Sequence, residues 1–569
     1  MPSSSREADA TPVATASPRP EALPPVPPPP TAEPTVGVLR RRVVRLAAPI
    51  CAALVVGALA QLVIAALLGH MGDDALYVRS LFIPVTFLVL AVQEGLDVST
   101  QVGFARLHGS RARATEDGAA EDDGVTAVPT SATTALLGRF VGGGAAVLGG
   151  VALLVVLAAP ALADVLSVPA PLVAEFVAFA RWTVVASVLS VPTAVAAAAL
   201  RGWARTGASA TVALLVAGLQ VLVVWLVGLV GGFGALAVPV AITGSTLVGA
   251  AVAWALLVRA HLLPRPGHVP GLRRLLALRH HPAPQRLAAA WRRALRALPA
   301  GSWTTPTPPS PSTTPPPPPP STAPAAEPTT SDVPPGGAVV ERVDVRGLLL
   351  GVGLPVGLSY LLLTVTNLVM VWVLGPSGTD VVAGFGGAAT VQTLVVVPAI
   401  GLAAAVSIVM NQQWGAGELG LLPRTLRAGT VVVAGVYVVV GALVLLTAPV
   451  VAGQLSADPD VAAQAALYLR VVGPSYAGVG LVLFLLTLLE QLGYGRVAVT
   501  LNVLYHAVSL GVGGILARAG GGPTALYTTI AVMNVVGLVV MLPAAVRLVR
   551  RRATDVPAET AGSAVEVAP

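Results

Sequence analysis

Lysine is absent from this sequence: all 34 of its basic residues are arginine. That bias carries no functional information, but the scarcity of charge does. Charged residues of both signs fill only 11% of the 569 positions, where a soluble domain carries about 25%. With 55% hydrophobic residues and a mean hydropathy of +0.81, a water-soluble globule is excluded and the chain belongs in a bilayer. The single cysteine, Cys51, excludes an internal disulfide framework and a thiolate metal site; in an apolar run it reads as a small buried residue. No Gly-x-x-x-x-Gly-Lys-Ser/Thr motif occurs, so no intrinsic ATPase drives the protein. His70 and His108 stand near span ends without ligand-spaced partners, and the serines lack a His/Asp constellation. No enzyme, metal or resident cofactor is expected. Residues 1–38 contain no apolar h-region of a cleaved signal peptide, which leaves insertion to the first span. The net charge of +7 could suggest a nucleic-acid partner, but the arginines sit in short loops between apolar runs and form no single basic face. No nucleic-acid partner is expected.

What is present is a long repeat. Leu68-Gly69-His70-Met71-Gly72-Asp73-Asp74 closes one apolar segment and opens the next, and Leu374-Gly375-Pro376-Ser377-Gly378-Thr379-Asp380 does the same 306 positions later. The offset holds without a gap: Pro49 maps to Pro355, Gln61 to Asn367, Asp74 to Asp380, Gly95-Leu96 to Gly401-Leu402 and Gly109 to Gly415. A repeat of this length in membrane-type sequence means two homologous halves.

A span needs about 20 apolar residues to cross about 30 Å of hydrocarbon. Twelve such runs are predicted: roughly 43–68, 77–103, 135–160, 172–199, 208–230 and 235–260, then roughly 346–374, 381–411, 425–452, 462–489, 497–518 and 523–549. The predicted fold is an all-α membrane protein, with twelve transmembrane helices in two homologous six-helix lobes around a central cavity. Its domains are a Pro/Ser/Ala-rich tail (1–38), an N-terminal lobe (39–262), a connector (263–343), a C-terminal lobe (344–550) and a second tail (551–569). Alternate loops separate by charge. Arg40-Arg41-Arg42, Arg106, Arg111, Arg113, Arg139, Arg201, Arg205, Arg424, Arg427, Arg496 and Arg550-Arg551-Arg552 fall on one side, and Asp73-Asp74, Asp164 and Asp458-Pro459-Asp460 on the other, which holds little arginine beyond Arg79 and Arg518. The positive-inside rule then places both termini and the connector in the cytoplasm, in the plasma membrane.

Between the lobes, residues 271–298 carry seven arginines, with Leu287, Trp291, Leu295 and Leu298 at helical spacing. They read either as an amphipathic helix on anionic lipid or as a solvated basic linker. Residues 303–338 are Thr/Pro/Ser-rich and read as a polyproline spacer. The acidic run Glu116-Asp117-Gly118 and Glu121-Asp122-Asp123-Gly124 lacks calcium-loop spacing and reads as a solvated insertion.

Ionisable groups inside hydrocarbon cost about 2.5–3.5 kcal/mol each on insertion scales, so they face a cavity or a partner. Glu94, Asp97 and Gln101 lie three and then four residues apart in the second span, which puts them on one helix face near mid-membrane. Their repeat partners Ile400 and Ala403 are apolar, so the carboxylates belong to the first half alone. Such a pair can hold a proton, an inorganic cation or a cationic solute; the alternative is a structural pair with Arg139 or Arg201. Gln61 and Asn367 are the symmetric polar residues of spans one and seven and suit either cavity lining or interhelical hydrogen bonding. Arg181 and Arg470 read as structural, and Glu490 as a solvated cap at the inner end of span ten.

Taken together, these residues resemble the multidrug and toxic compound extrusion (MATE) family of secondary transporters. The similarity rests on Pro49 and Gly69-His70-Met71-Gly72, on Leu107-His108-Gly109-Ser110 and Trp414-Gly415-Ala416-Gly417, and on Asp458-Pro459-Asp460-Val461, Tyr468-Leu469-Arg470 and Gln491-Leu492-Gly493. It covers roughly residues 39–260 and 344–550. It implies two lobes that rock between inward-facing and outward-facing states, and export of a small molecule, amphipathic and often cationic, against proton or sodium inflow. Many bacterial members carry an aspartate in span one at the position that is Ile64 here, so Glu94 and Asp97 stand as candidates for its role. Two other readings stay open: a flippase for a lipid-linked saccharide from the wider superfamily, and a membrane scaffold working through the connector. The expected partners are the substrate and the bilayer, with the protein as a monomer.

Overall fold

The computed structural model describes residues 34–116, 130–166, 168–263, 343–456 and 458–554. The basic stretch 271–298, the proline-rich spacer and residues 117–124 lie outside these. Eleven helical stretches are long and apolar enough to cross a membrane, and the last of them, Gly495–Thr554, holds two spans. Gly520 at φ 106 and Gly522 at φ 60 break it, because a left-handed backbone ends a right-handed helix. The twelve helices are α1 Val36–His70, α2 Ile83–Ala114, α3 Ala132–Val165, α4 Ala170–Gly202, α5 Thr206–Val230 and α6 Gly234–Arg259 in the first lobe. The second lobe holds α7 Val345–Ser377, α8 Thr379–Gly415, α9 Leu419–Leu455, α10 Pro459–Gln491, α11 Gly495–Leu516 and α12 Gly522–Thr554. Leucines at 60–77% exposure, such as Leu153, Leu157 and Leu446, form an apolar outer belt that only lipid can cover.

Local sequence explains where the halves differ. Pro84 stands at the second residue of α2 and cannot continue a helix from before it, so a separate short helix, Asp73–Leu81, precedes α2. Its counterpart is Thr390, and α8 runs unbroken from Thr379 to Gly415. α4 is interrupted at Ser190, just before Pro192, and α10 at Gly473, just before Pro474. Helix α1 begins at Val36, before its expected start near residue 43, and Pro49 lies well inside it.

The repeat reappears as packing. α1 lies against α8 and α5, and α7 lies against α2 and α11, the same pairs displaced by six helices; α2 and α8 cross each other between the lobes. The first, Arg-rich half of α1 sends Val43, Leu46, Ala47 and Ile50 into the core of the second lobe. Correspondingly, Leu348, Val352 and Val356 of α7 enter the core of the first. The far halves of both helices return to their own lobes, through Ile64 and Leu68 and through Met370, Val373 and Leu374. The lobes are therefore interlocked on the Arg-rich side and separate toward the other side.

Candidate functional site

Helix α2 presents its polar face to the junction of the lobes. Glu94 stands about 17 Å along α2 from Ile83, at 1.5 Å per residue, and Asp97 and Gln101 follow one turn apart. The first lobe answers with Arg201, at the C-terminal end of α4, where the helix dipole favours a cation. Its guanidinium forms an ion pair with Asp97, donates from Nε to Gln101 Oε1 at 3.1 Å and donates from NH1 to Ser209 Oγ at 3.1 Å. Gln101 Nε2 in turn donates to Gln491 Oε1 of α10 at 3.4 Å. Glu94, Asp97, Gln101, Arg201 and Gln491 line a cavity of about 110 Å³ that Ile400 and Ala404 close from the second lobe. Ile400 is the repeat partner of Glu94, so the two related positions face one cavity, one charged and the other apolar.

The structural alternative raised by the sequence, a pair with Arg201, is what Asp97 makes. Glu94 differs. Arg201 forms its ion pair with Asp97, and Glu94 instead has Tyr360 of α7 for a neighbour, across the lobe boundary. The residue before Tyr360 meets a second acid: Ser359 Oγ donates to Glu490 Oε1 at 2.5 Å, and Asn502 Nδ2 of α11 donates to Ser359 Oγ at 3.0 Å. Glu490 was expected to be a solvated cap. It is 3% exposed, because α7 and α11 cover the last turn of α10. Ser359, Tyr360, Glu490, Asn502 and His506 line a second cavity of about 60 Å³, next to the first and sharing Val98 and Ile400 with it.

The remaining candidates lie elsewhere. Asn367 lines a separate cavity of about 80 Å³ within the second lobe, beside Gln392, Tyr468, Tyr505 and Asn534, and donates to Leu363 O at 3.1 Å. Gln61 is exposed and accepts from Arg79 NH2 at 3.4 Å, away from Glu94. Arg181 donates to Val156 O at 3.2 Å, a local bond. Among the described residues no group of three or more His, Cys, Asp or Glu is placed to hold a metal.

Below the carboxylates, toward the Arg-rich side, the junction is sealed. Arg106 Nε donates to Asn411 Oδ1 at 3.0 Å, Arg42 NH2 to Gln412 Oε1 at 2.8 Å, and Gln412 Nε2 to Gly202 O at 3.0 Å. The Trp414 ring lies between two guanidiniums, Arg106 at 4.0 Å and Arg552 at 3.8 Å. α2 and α8 touch through repeat-related glycines: a Cβ on Gly109 would stand 1.9 Å from Gln412 O, and one on Gly415 2.0 Å from Arg106 O.

The MatE family model matches residues 355–515, from the head of α7 into α11. No curated protein matches the chain. Among solved structures, a mutant of the Vibrio cholerae MATE transporter VcmN superposes with a TM-score of 0.69 at 15% identity, over 91% of this chain and 98% of that one. A multidrug resistance MATE family transporter of the MOP superfamily, in an outward-facing conformation, gives 0.67 at 17% identity, over 90% and 96%. A MOP superfamily transporter from Pyrococcus furiosus, described as having a binding pocket of reverse polarity that suggests a different function, gives 0.66 at 17%, over 91% and 99%. The twelve-helix arrangement is thus the MATE fold.

Proposed function

We propose that this chain, a multi-pass membrane transporter of the MATE family by its fold and by the family match of its C-terminal lobe, is a secondary active exporter of small amphipathic or cationic compounds, driven by proton or sodium antiport. The observation that carries this reading is Glu94: a carboxylate at the lobe junction, above a sealed face, and the guanidinium that shares its cavity, Arg201, already serves Asp97. A carboxylate so placed is stabilised by any cation that reaches it. If coupling ion and cationic substrate compete for the same group, the two cannot occupy it together, and antiport follows. An ion arriving through the open side neutralises Glu94 and weakens its attraction for the neighbouring Tyr360 hydroxyl, because a charged acceptor draws a donor more strongly than a neutral one. That contact joins α2 to α7, so its weakening favours parting of the lobes on the sealed side. Release of the ion there frees the carboxylate for substrate. The Arg-rich face is the cytoplasmic one in this reading, with both termini inside and the arrangement outward-facing.

The flippase reading fits less well. A pyrophosphate would meet two carboxylates at this junction, and the guanidinium of Arg201 beside them is already paired with Asp97. The test is reconstitution in proteoliposomes with a fluorescent cationic dye, under an imposed pH gradient and then a sodium gradient. Dye movement driven by one of the two supports the proposal; a folded protein that moves dye under neither contradicts it.

A further inference from the structure

The cavities at the lobe junction form a row along α7. The one at Glu94 adjoins the smaller one at Glu490, and that in turn shares Leu363, Val396, Leu483 and His506 with the cavity of about 80 Å³ in the second lobe. The walls where they meet are mostly apolar. Tyr360 stands beside Glu94, and Asn367, seven residues further along α7, lines the far cavity, so the two positions lie about 10 Å apart at 1.5 Å per residue.

The two ends of the row differ in chemistry. No aromatic ring lines the cavity at Glu94, and no carboxylate or guanidinium lines the far one. Instead α8, α10 and α11 bring Phe385, Tyr468 and Tyr505 to it. These rings are held in place. Phe385 and Tyr468 meet edge-on with centroids 5.7 Å apart, and Tyr468 meets Tyr527 in the same way at 4.9 Å. Both hydroxyls at the cavity are already used: Tyr468 donates to Gln392 Oε1, Tyr505 donates to Asn534 Oδ1, and Asn534 Nδ2 donates on to Ser475 Oγ at 2.7 Å. Gln392 Nε2 and Ser509 Oγ, by contrast, form no hydrogen bond among the described residues, and neither is sealed from the cavity. Aromatic walls with an unused amide donor and an unused hydroxyl, and without charge, suit an uncharged ring that bears a hydrogen-bonding group. The volume of about 80 Å³ is several times the roughly 10–15 Å³ that one water needs, which admits one ring.

We propose, resting on the export reading of Glu94, that the far cavity is a second subsite of the transport path. It takes the uncharged aromatic end of a substrate whose ammonium end lies at Glu94, with an apolar spacer of about 10 Å between them. The full-length protein in phosphatidylcholine nanodiscs, with empty nanodiscs as the blank, is titrated calorimetrically with hexylammonium and with its phenol-terminated analogue, whose ring lies about that far from the nitrogen. The analogue should bind about tenfold tighter to the wild type. Ser509→Leu fills the cavity and removes a hydroxyl, and should make the two probes bind nearly alike. Ser509→Ala removes the hydroxyl alone and should reduce the analogue's advantage about fivefold. Equal affinities in the wild type, or an advantage that both folded variants retain in full, overturn the second subsite and leave the export reading standing. Binding of neither probe, or binding that Glu94→Gln leaves unchanged, overturns the export reading and the second subsite with it.

Discussion

Replacing Gly109 with alanine should unlock the Arg-rich seal without touching the carboxylates. The added methyl would stand 1.9 Å from Gln412 O and 2.8 Å from Ala416 N, both backbone atoms of α8 that cannot turn aside. Contact begins at about 3.5 Å, so α8 must withdraw by about 1.5 Å. The bonds from Arg106 to Asn411, from Arg42 to Gln412 and from Gln412 to Gly202 all cross this point at 2.8–3.0 Å and do not stretch that far. Two of them carry a guanidinium, at about 1.5–3 kcal/mol each, and the third is worth about 1 kcal/mol, so the sealed state loses at least about 4 kcal/mol. At about 1.4 kcal/mol per factor of ten, that is nearly a thousandfold in the equilibrium between sealed and parted states. Spin labels on cysteines placed at Gly207 and Gly420, where an added Cβ meets nothing within 4 Å, report the separation across the face by pulsed electron resonance. The native Cys51 is first replaced by alanine. Gly109→Ala should convert the main distance to a longer one, and Gly415→Ala should do the same, since its Cβ would stand 2.0 Å from Arg106 O. An unchanged distance distribution in both folded variants would refute the reasoning.

Further outcomes follow from the same geometry. Asp97→Asn strips Arg201 of its counter-charge and should lower thermal stability; with the pair partly exposed, at 16% and 27%, the loss is about 2 kcal/mol, and Asp97→Asn with Arg201→Gln should restore most of it. Ser359→Ala removes the hydroxyl that both Glu490 and Asn502 use, and should destabilise by about 1–3 kcal/mol in the same assay, whereas Glu490→Gln, which keeps an acceptor for Ser359, should cost less.

The sequence made the repeat legible because glycines mark close approaches that no other residue permits. Gly109 and Gly415 fall in register for that reason, and they touch the same crossing from opposite sides. It also placed Glu94, Asp97 and Gln101 on one face, since helical spacing decides that. It could not separate the roles of the two carboxylates, because Arg201 arrives from α4, a hundred positions away, and only packing says which acid it meets. Glu490 was misread for a related reason. Its place at the end of a span suggests water, and only the long-range approach of α7 and α11 reveals that it is covered. Gln61 and Asn367 shared a repeat register, but register fixes depth in the membrane and leaves open the cavity that each side chain meets.

In the proposed cycle Glu94 carries the coupling ion, while the charge of Asp97 is balanced by Arg201. This assignment is tested most directly by comparing wild type with Glu94→Gln in proteoliposomes, reading gradient-driven dye movement beside gradient-free dye exchange. The driven movement is expected to disappear and the exchange to survive, since the path and the seal remain while the ion has lost its site. Driven movement that persists in Glu94→Gln at the wild-type rate would contradict it.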